Sequence, residues 1–159
     1  MHAKSINNLK STGIFKSVDS EIITTDKDDK NIINLIVEEK PTGEISASAG
    51  VGTEGTTLAF GVRENNFNGK GIKLSTNLAI SDDSIRGLFD YTHPNFAYSD
   101  RELSTSLESS VTDKLTDFGY KSSLNQVSVG TRYEQFEDTF FSPRSVSYTH
   151  LTLPTTPYV

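Results

Sequence analysis

Residues 71–81 read GIKLSTNLAIS, and apolar and polar side chains alternate along them. A period of two residues is typical of a β-strand, because successive side chains point to opposite faces of a sheet. The large apolar side chains stand at even positions, and the odd positions carry small or polar residues. The stretch therefore predicts a strand with one apolar and one polar face.

The same alternation recurs in five further stretches, which turn residues separate from one another: 44–52, 56–64, 84–93, 102–112 and 120–135. Most are about 9 to 11 residues long, enough to cross a bilayer at a tilt, whereas strands of globular proteins average about 5 to 6 residues. Because the connections are short, the pattern predicts a mainly β fold: an antiparallel meander of about six strands that forms part of a transmembrane β-barrel. In 120–135 the parity slips between Leu124 and Val127, which predicts a bulge or an extension beyond the barrel there.

One face of this meander is predicted to point outward toward lipid, since membrane barrels carry their apolar side chains outside. Aromatic residues near the strand ends agree with this, because they are typical of membrane interfaces. A soluble meander, in which these rings cap a core, is the alternative. The predicted outward set is Ile45, Val51, Leu58, Phe60, Val62, Ile72, Leu74, Leu78, Ile80, Phe89, Leu103 and Leu107.

Composition excludes several classes of function. The chain has 159 residues, with 15 Lys and Arg against 21 Asp and Glu, which gives a formal charge of −6. Nucleic acid is not expected as a partner, because its binding needs a basic face that displaces counterions from phosphate. The chain has no cysteine, which excludes a disulfide scaffold, a thiolate zinc site and a cysteine nucleophile.

The remaining titratable residues do not form a catalytic pattern. His93 lies in a predicted turn without partners at metal-ligand spacing, so a hydrogen-bonded or solvated histidine is the better interpretation. The acidic pairs at 28–29 and 82–83 lack the spacing of a calcium loop and indicate solvated turns. We therefore expect no catalytic residue, no metal site and no cofactor, and we expect that the protein is not an enzyme.

The first 40 residues follow a different pattern. Apolar residues at helical spacing predict a short helix over 3–12 that ends at Gly13. Two β-rich runs, 14–25 and 31–39, flank a charged loop and predict a hairpin. A helix over one face of that hairpin would bury Ile6, Leu9, Ile14, Phe15, Val18, Ile33 and Leu35.

The last residues, 144–159, break the alternation. They contain no acidic residue, and two prolines fall within the last six positions, where they would interrupt a central strand. This predicts a non-native or disordered tail outside the fold. The predicted organisation is thus 1–40, 41–143 and 144–159.

Five short motifs carry a family resemblance: NNLKSTGIFKSV at 7–18, VEEKPTG at 37–43, GVGTEG at 50–55, ENNFNGKG at 64–71 and HPNF at 93–96. Through them the chain resembles the outer-membrane β-barrel assembly factors, the BamA-like surface antigens in which POTRA domains precede a barrel. The family has Asn where this chain has His93. The resemblance spans roughly 3–143 and implies a fragment of such a protein.

The resemblance implies a location for each part. Residues 1–40 would be the helix-strand-strand end of an α+β POTRA domain in the periplasm, and 41–143 the first barrel strands in the bacterial outer membrane. The implied function is to fold and insert β-barrel proteins by strand-edge templating without nucleotide. The implied partners are nascent outer-membrane β-barrel proteins, accessory assembly lipoproteins and the lipid bilayer.

The first barrel strand would border the seam at which client strands pair. An unpaired edge presents N–H and C=O groups that accept another strand, and hydrocarbon offers no water to satisfy them. Glycines would weaken any permanent partner, although small residues could equally relieve crowding in the barrel wall. The candidate pairing residues are Glu44, Ile45, Ser46, Ala47, Ser48, Ala49, Gly50, Val51 and Gly52.

Two other functions stay open at this point. A POTRA-barrel transporter of the two-partner secretion or autotransport-assembly type has the same architecture. A soluble β-rich binding module belongs to a different class, and its behaviour without detergent would distinguish it.

Overall fold

The computed structural model describes residues 2–24, 31–52 and 55–154. Residue contacts divide the chain into two compact units, Met1–Thr42 and Gly43–Val159.

The first unit is a helix followed by a hairpin. Helix α1 spans His2–Ser11, and strands β1, Phe15–Thr24, and β2, Asn31–Glu39, pair antiparallel. The predicted helix and both strands are confirmed to within two residues, and the predicted loop 26–30 lies outside the described residues. That this unit belongs to a POTRA domain stays a prediction.

The core of the first unit is smaller than predicted. Val18 is buried, but Ile33 and Leu35 are about half exposed, so their predicted burial is wrong. Helix α1 packs on β1 and, with 10 residues, is about 15 Å long, whereas β1 extends about 33 Å. A helix of that length cannot cover the whole hairpin.

The second unit is one antiparallel sheet of eight strands in sheet order β10-β8-β7-β6-β5-β4-β3, with β9 beside the end of β8. A 3-10 turn, Phe96–Tyr98, and a short helix α2, Leu115–Phe118, lie in two of the connections. The strands are β3 Gly43–Gly52, β4 Gly55–Phe67, β5 Ile72–Ser81, β6 Ser84–His93, β7 Glu102–Lys114, β8 Tyr120–Phe136, β9 Thr139–Phe141 and β10 Arg144–Pro154.

The first six of these strands form the predicted sequential meander. Each pairs with the next along the chain in antiparallel register. In the described part of the chain the sheet is not closed, and β3 and β10 form its two edges.

The predicted tail over 144–159 is partly wrong. Residues 144–154 are ordered as β10, which pairs with β8 along its whole length. Pro154 is the last residue of this edge strand, a position where proline breaks no interior ladder. Residues 155–159 lie outside the described ranges, and the non-native origin of the segment stays a prediction.

The bulge predicted in β8 is also wrong. The register with β7 runs without interruption from Tyr120 to Arg132, so Leu124 and Val127 lie on opposite faces of one regular strand. An irregularity occurs instead in β4 between Glu64 and Phe67, where a turn was predicted.

All twelve predicted outward residues lie on one face of the second unit, which we call the apolar face. Directly paired residues share a face, and the pairs Phe60–Leu78 and Leu107–Val127 are examples. Most of the large side chains on this face are exposed, whereas Leu74 and Leu103 are half-buried and Ile72 is buried, at 8% exposed. Ile72 starts β5 beside the irregularity in β4, where a bulged strand bends.

The opposite, polar face is partly covered by its own side chains. Arg86 and Glu108 form an ion pair of 2.7 Å across β6 and β7. The Arg144 guanidinium donates a hydrogen bond of 2.6 Å to the Ser128 hydroxyl, which is buried. In a soluble globular sheet the apolar face packs on a core and the polar face is exposed to solvent. Here the apolar face is exposed and the polar face is partly covered.

Candidate strand-pairing edge

Strand β3 forms one edge of the second unit and contains all nine candidate pairing residues. It pairs with β4 over its full length, from Gly43 opposite Glu64 to Gly52 opposite Gly55. Every residue of β3 is exposed, and β4 is its only neighbouring strand within the described ranges. The structure therefore brings the candidate residues together on one open edge.

The open edge consists of main-chain groups. In an antiparallel strand the N–H and C=O of one residue point to the same side, and those of the next residue point to the other. Because β4 occupies only one side, every second residue of β3 presents both groups to the free side. These groups can form a ladder with another strand.

The side chains of β3 divide between the two faces as the sequence predicts. Ile45 pairs with Val62 and Ala47 with Phe60, which places them on the apolar face. Ile45 and Val51 are 84% and 86% exposed, so they pack against little else.

The side chains on the polar face of β3 also make few contacts. Ser46 donates only a long hydrogen bond of 3.5 Å to the Gly61 carbonyl. A Cβ atom added at Gly50 or Gly52 would meet no atom within 4 Å. Side chains therefore add little to the binding of β3, and the main chain dominates its pairing.

Close packing begins one strand further in. At Gly61 of β4, an added Cβ atom would lie 2.5 Å from the Ser46 hydroxyl oxygen and 2.9 Å from the Asn77 amide oxygen. Only glycine lets these two side chains approach the main chain of β4 so closely. Gly61 thus accommodates one side chain from each neighbouring strand, Ser46 of β3 and Asn77 of β5.

Sequence reasoning missed Asp82, which it interpreted as part of a solvated turn. The turn at 82–83 joins β5 and β6, and the Asp82 carboxylate accepts a hydrogen bond of 3.2 Å from the Thr56 N–H at the start of β4. The signal available in the sequence was an acidic pair after a strand, which does not indicate a contact with Thr56, 26 residues earlier in the chain.

Titratable side chains do not cluster as metal ligands in the described part of the chain. No group of three or more His, Asp or Glu side chains there could hold a metal ion. The Nδ1 atom of His93 is buried without a hydrogen-bond partner, and the ring contacts Phe96 edge to face, with 5.8 Å between centroids. The ring therefore packs at the end of β6 as an aromatic group.

Neither helix of the described ranges is long and apolar enough to cross a membrane.

Comparisons with known proteins identify the fold. No protein-family model matches the chain, and no curated protein matches it. Among solved structures, it is similar to the crystal structure of BamA from Haemophilus ducreyi lacking POTRA domains 1-3, with a TM-score of 0.74 and 22% sequence identity. The match covers 93% of this chain and 29% of that one, so the chain spans less than a third of the BamA structure it matches. The fold is thus a mainly antiparallel β-sheet similar to part of that BamA structure.

Proposed function

We propose that this chain takes part in the assembly of outer-membrane β-barrel proteins. In this proposal the apolar face of the second unit contacts the lipid bilayer, and the edge of β3 pairs with strands of nascent barrel proteins. The observation that carries the proposal is the open edge of β3, exposed at every residue, in a sheet whose apolar face is also exposed. The similarity of the fold to BamA supports the choice of location and client.

The mechanism needs only main-chain hydrogen bonds. In hydrocarbon, an unpaired N–H or C=O group costs several kcal/mol. A client strand that pairs with β3 provides hydrogen-bond partners for the unpaired groups of both strands. Because β3 has few side-chain contacts, pairing would depend little on the client's side chains. Neither nucleotide nor a catalytic residue is required in this mechanism.

The first unit would lie in the periplasm as part of a POTRA domain. Its hairpin presents strand edges that can accept a strand from an unfolded client or an accessory lipoprotein. A POTRA-barrel transporter would share these features, and client capture by β3 distinguishes the assembly role from transport.

Disulfide capture tests the proposal directly, because the chain has no cysteine of its own. We expect Ser48→Cys to cross-link to a barrel client that carries single cysteines along one strand. Ala59→Cys is the matched control: it pairs with Ser48 on the same face but lies in β4, between β3 and β5. A strand added at β3 would lie about 9.6 Å from β4, too far for a disulfide. Equal capture by the two variants, or capture by neither, would contradict pairing at this edge.

Solution behaviour distinguishes the soluble alternative. We expect the chain to aggregate without detergent and to become monodisperse in detergent micelles, because most large side chains of its apolar face are exposed within the described ranges. Size-exclusion chromatography with light scattering measures this. A soluble binding module would stay monomeric without detergent.

A further inference from the structure

The tip of the β3–β4 hairpin extends beyond the neighbouring strand. The ladder between β4 and β5 begins at Thr57 opposite Ser81. Gly55 and Thr56 precede that ladder and pair only with Gly52 and Val51 of β3. The tip therefore lacks the second neighbouring strand that supports the rest of β4.

The Asp82 carboxylate takes the place of that missing strand. It accepts the Thr56 N–H, and it lies so close to Gly55 that an added Cβ atom would overlap it. Gly55 has φ +82°, a conformation that favours glycine. Both properties of Gly55 allow the carboxylate to sit against the main chain at the first residue of β4.

The turn that carries Asp82 is itself held on both sides. The Ser81 hydroxyl accepts a hydrogen bond of 3.1 Å from the Ser84 N–H, and the two hydroxyls lie 2.7 Å apart. The Asp83 carbonyl accepts a hydrogen bond of 2.8 Å from the Asp113 N–H, at the end of β7. Hydrogen bonds therefore fix the turn from which Asp82 contacts the hairpin.

We infer that Asp82 is a positioning residue that holds the tip of the β3–β4 hairpin and thereby keeps the edge of β3 ordered for strand pairing. The importance of this role rests on the proposed function. Gly50 and Gly52 bring no packing of their own. The carboxylate holds Gly55 and Thr56 of β4, the partners of Gly52 and Val51, and thereby opposes fraying of this end of β3.

Hydrogen exchange on the chain in detergent micelles tests the inference. We expect Asp82→Ala to raise the exchange rate of those amides of 50–52 that bond to β4 by about tenfold or more, the scale of one hydrogen bond to a charged group. Asp82→Asn keeps an acceptor oxygen and should stay closer to the unmodified chain. Amides of 44–46, at the other end of β3, provide the internal reference.

Asp83→Ala is the matched control. It removes a carboxylate from the same turn, and that carboxylate forms no hydrogen bond or ion pair within the described ranges. Unchanged exchange in Asp82→Ala, or an equal rise in Asp83→Ala, would overturn the inference.

Client insertion in cells separates this inference from the proposed function. We expect Asp82→Ala to lower client levels in the outer membrane and Asp82→Asn to restore most of them. Faster exchange with undiminished client levels would overturn the positioning role. Disulfide capture at Ser48 would still test strand pairing independently of the role of Asp82.

Discussion

Ala47→Pro, introduced at the native locus, is expected to lower client levels in the outer membrane roughly tenfold or more relative to Ala47→Ser, because an unmade main-chain hydrogen bond in hydrocarbon costs several kcal/mol. Proline removes the N–H donor and fixes φ, whereas serine leaves the main chain intact. The Ala47 side chain is exposed, so a change of side chain by itself should matter little. Quantitative blotting of client proteins in outer-membrane fractions at matched expression measures the difference.

Ser48→Pro provides the control for the direction of the lost donor. The Thr56 N–H points away from β3 to Asp82, so the next residues facing β3 are Thr57 and Ala59, whose partners are Gly50 and Ser48. Ser48→Pro therefore removes a bond to β4, whereas Ala47→Pro removes a donor from the free edge. We expect Ser48→Pro to lower the stability of the sheet itself and Ala47→Pro to lower client levels with the sheet still folded. Equal client levels for Ala47→Pro and Ala47→Ser would count decisively against templating by β3.

Phe89→Arg is expected to destabilise the second unit in lipid by about 2 to 4 kcal/mol, the cost of an arginine near the bilayer midplane on a barrel's lipid face. Phe89 lies in the middle of β6 on the apolar face, paired with Thr76 and Leu107, and its side chain is exposed. A charge placed there would have to leave water. Urea unfolding of the chain in lipid vesicles measures the change.

Leu88→Arg is the matched control, since it replaces the adjacent apolar residue of the same strand. Leu88 lies on the polar face between Asn77 and Glu108, where an arginine finds polar neighbours. We expect a clearly smaller loss of stability from this variant. Similar losses for the two variants would mean that both faces lie in the same environment, and the apolar face would not be in lipid.

Where the sequence failed, the cause was the covering of each strand face, which the pattern of the strand itself does not determine. Ile33 and Leu35 have the spacing of buried strand residues, but the length of α1 leaves them uncovered. The parity slip at Leu124 and Val127 resembles a bulge, yet a regular strand tolerates it because neither face of this sheet needs to be fully apolar.

The sequence by itself determined the strands, because alternation with a period of two is a local property. It matches the backbone of a strand, whose successive side chains point to opposite faces. Strand β6 occupies the predicted residues 84–93, and β5 differs from its prediction by one residue. The tertiary structure alone decided which main-chain groups remain unpaired. Arg144–Pro154 became an edge strand because β8 offered a complete ladder, and the tip of β3 is held by Asp82 from a turn two strands away. Hydrogen bonds between strands depend on register and neighbourhood, which no local pattern of side chains contains.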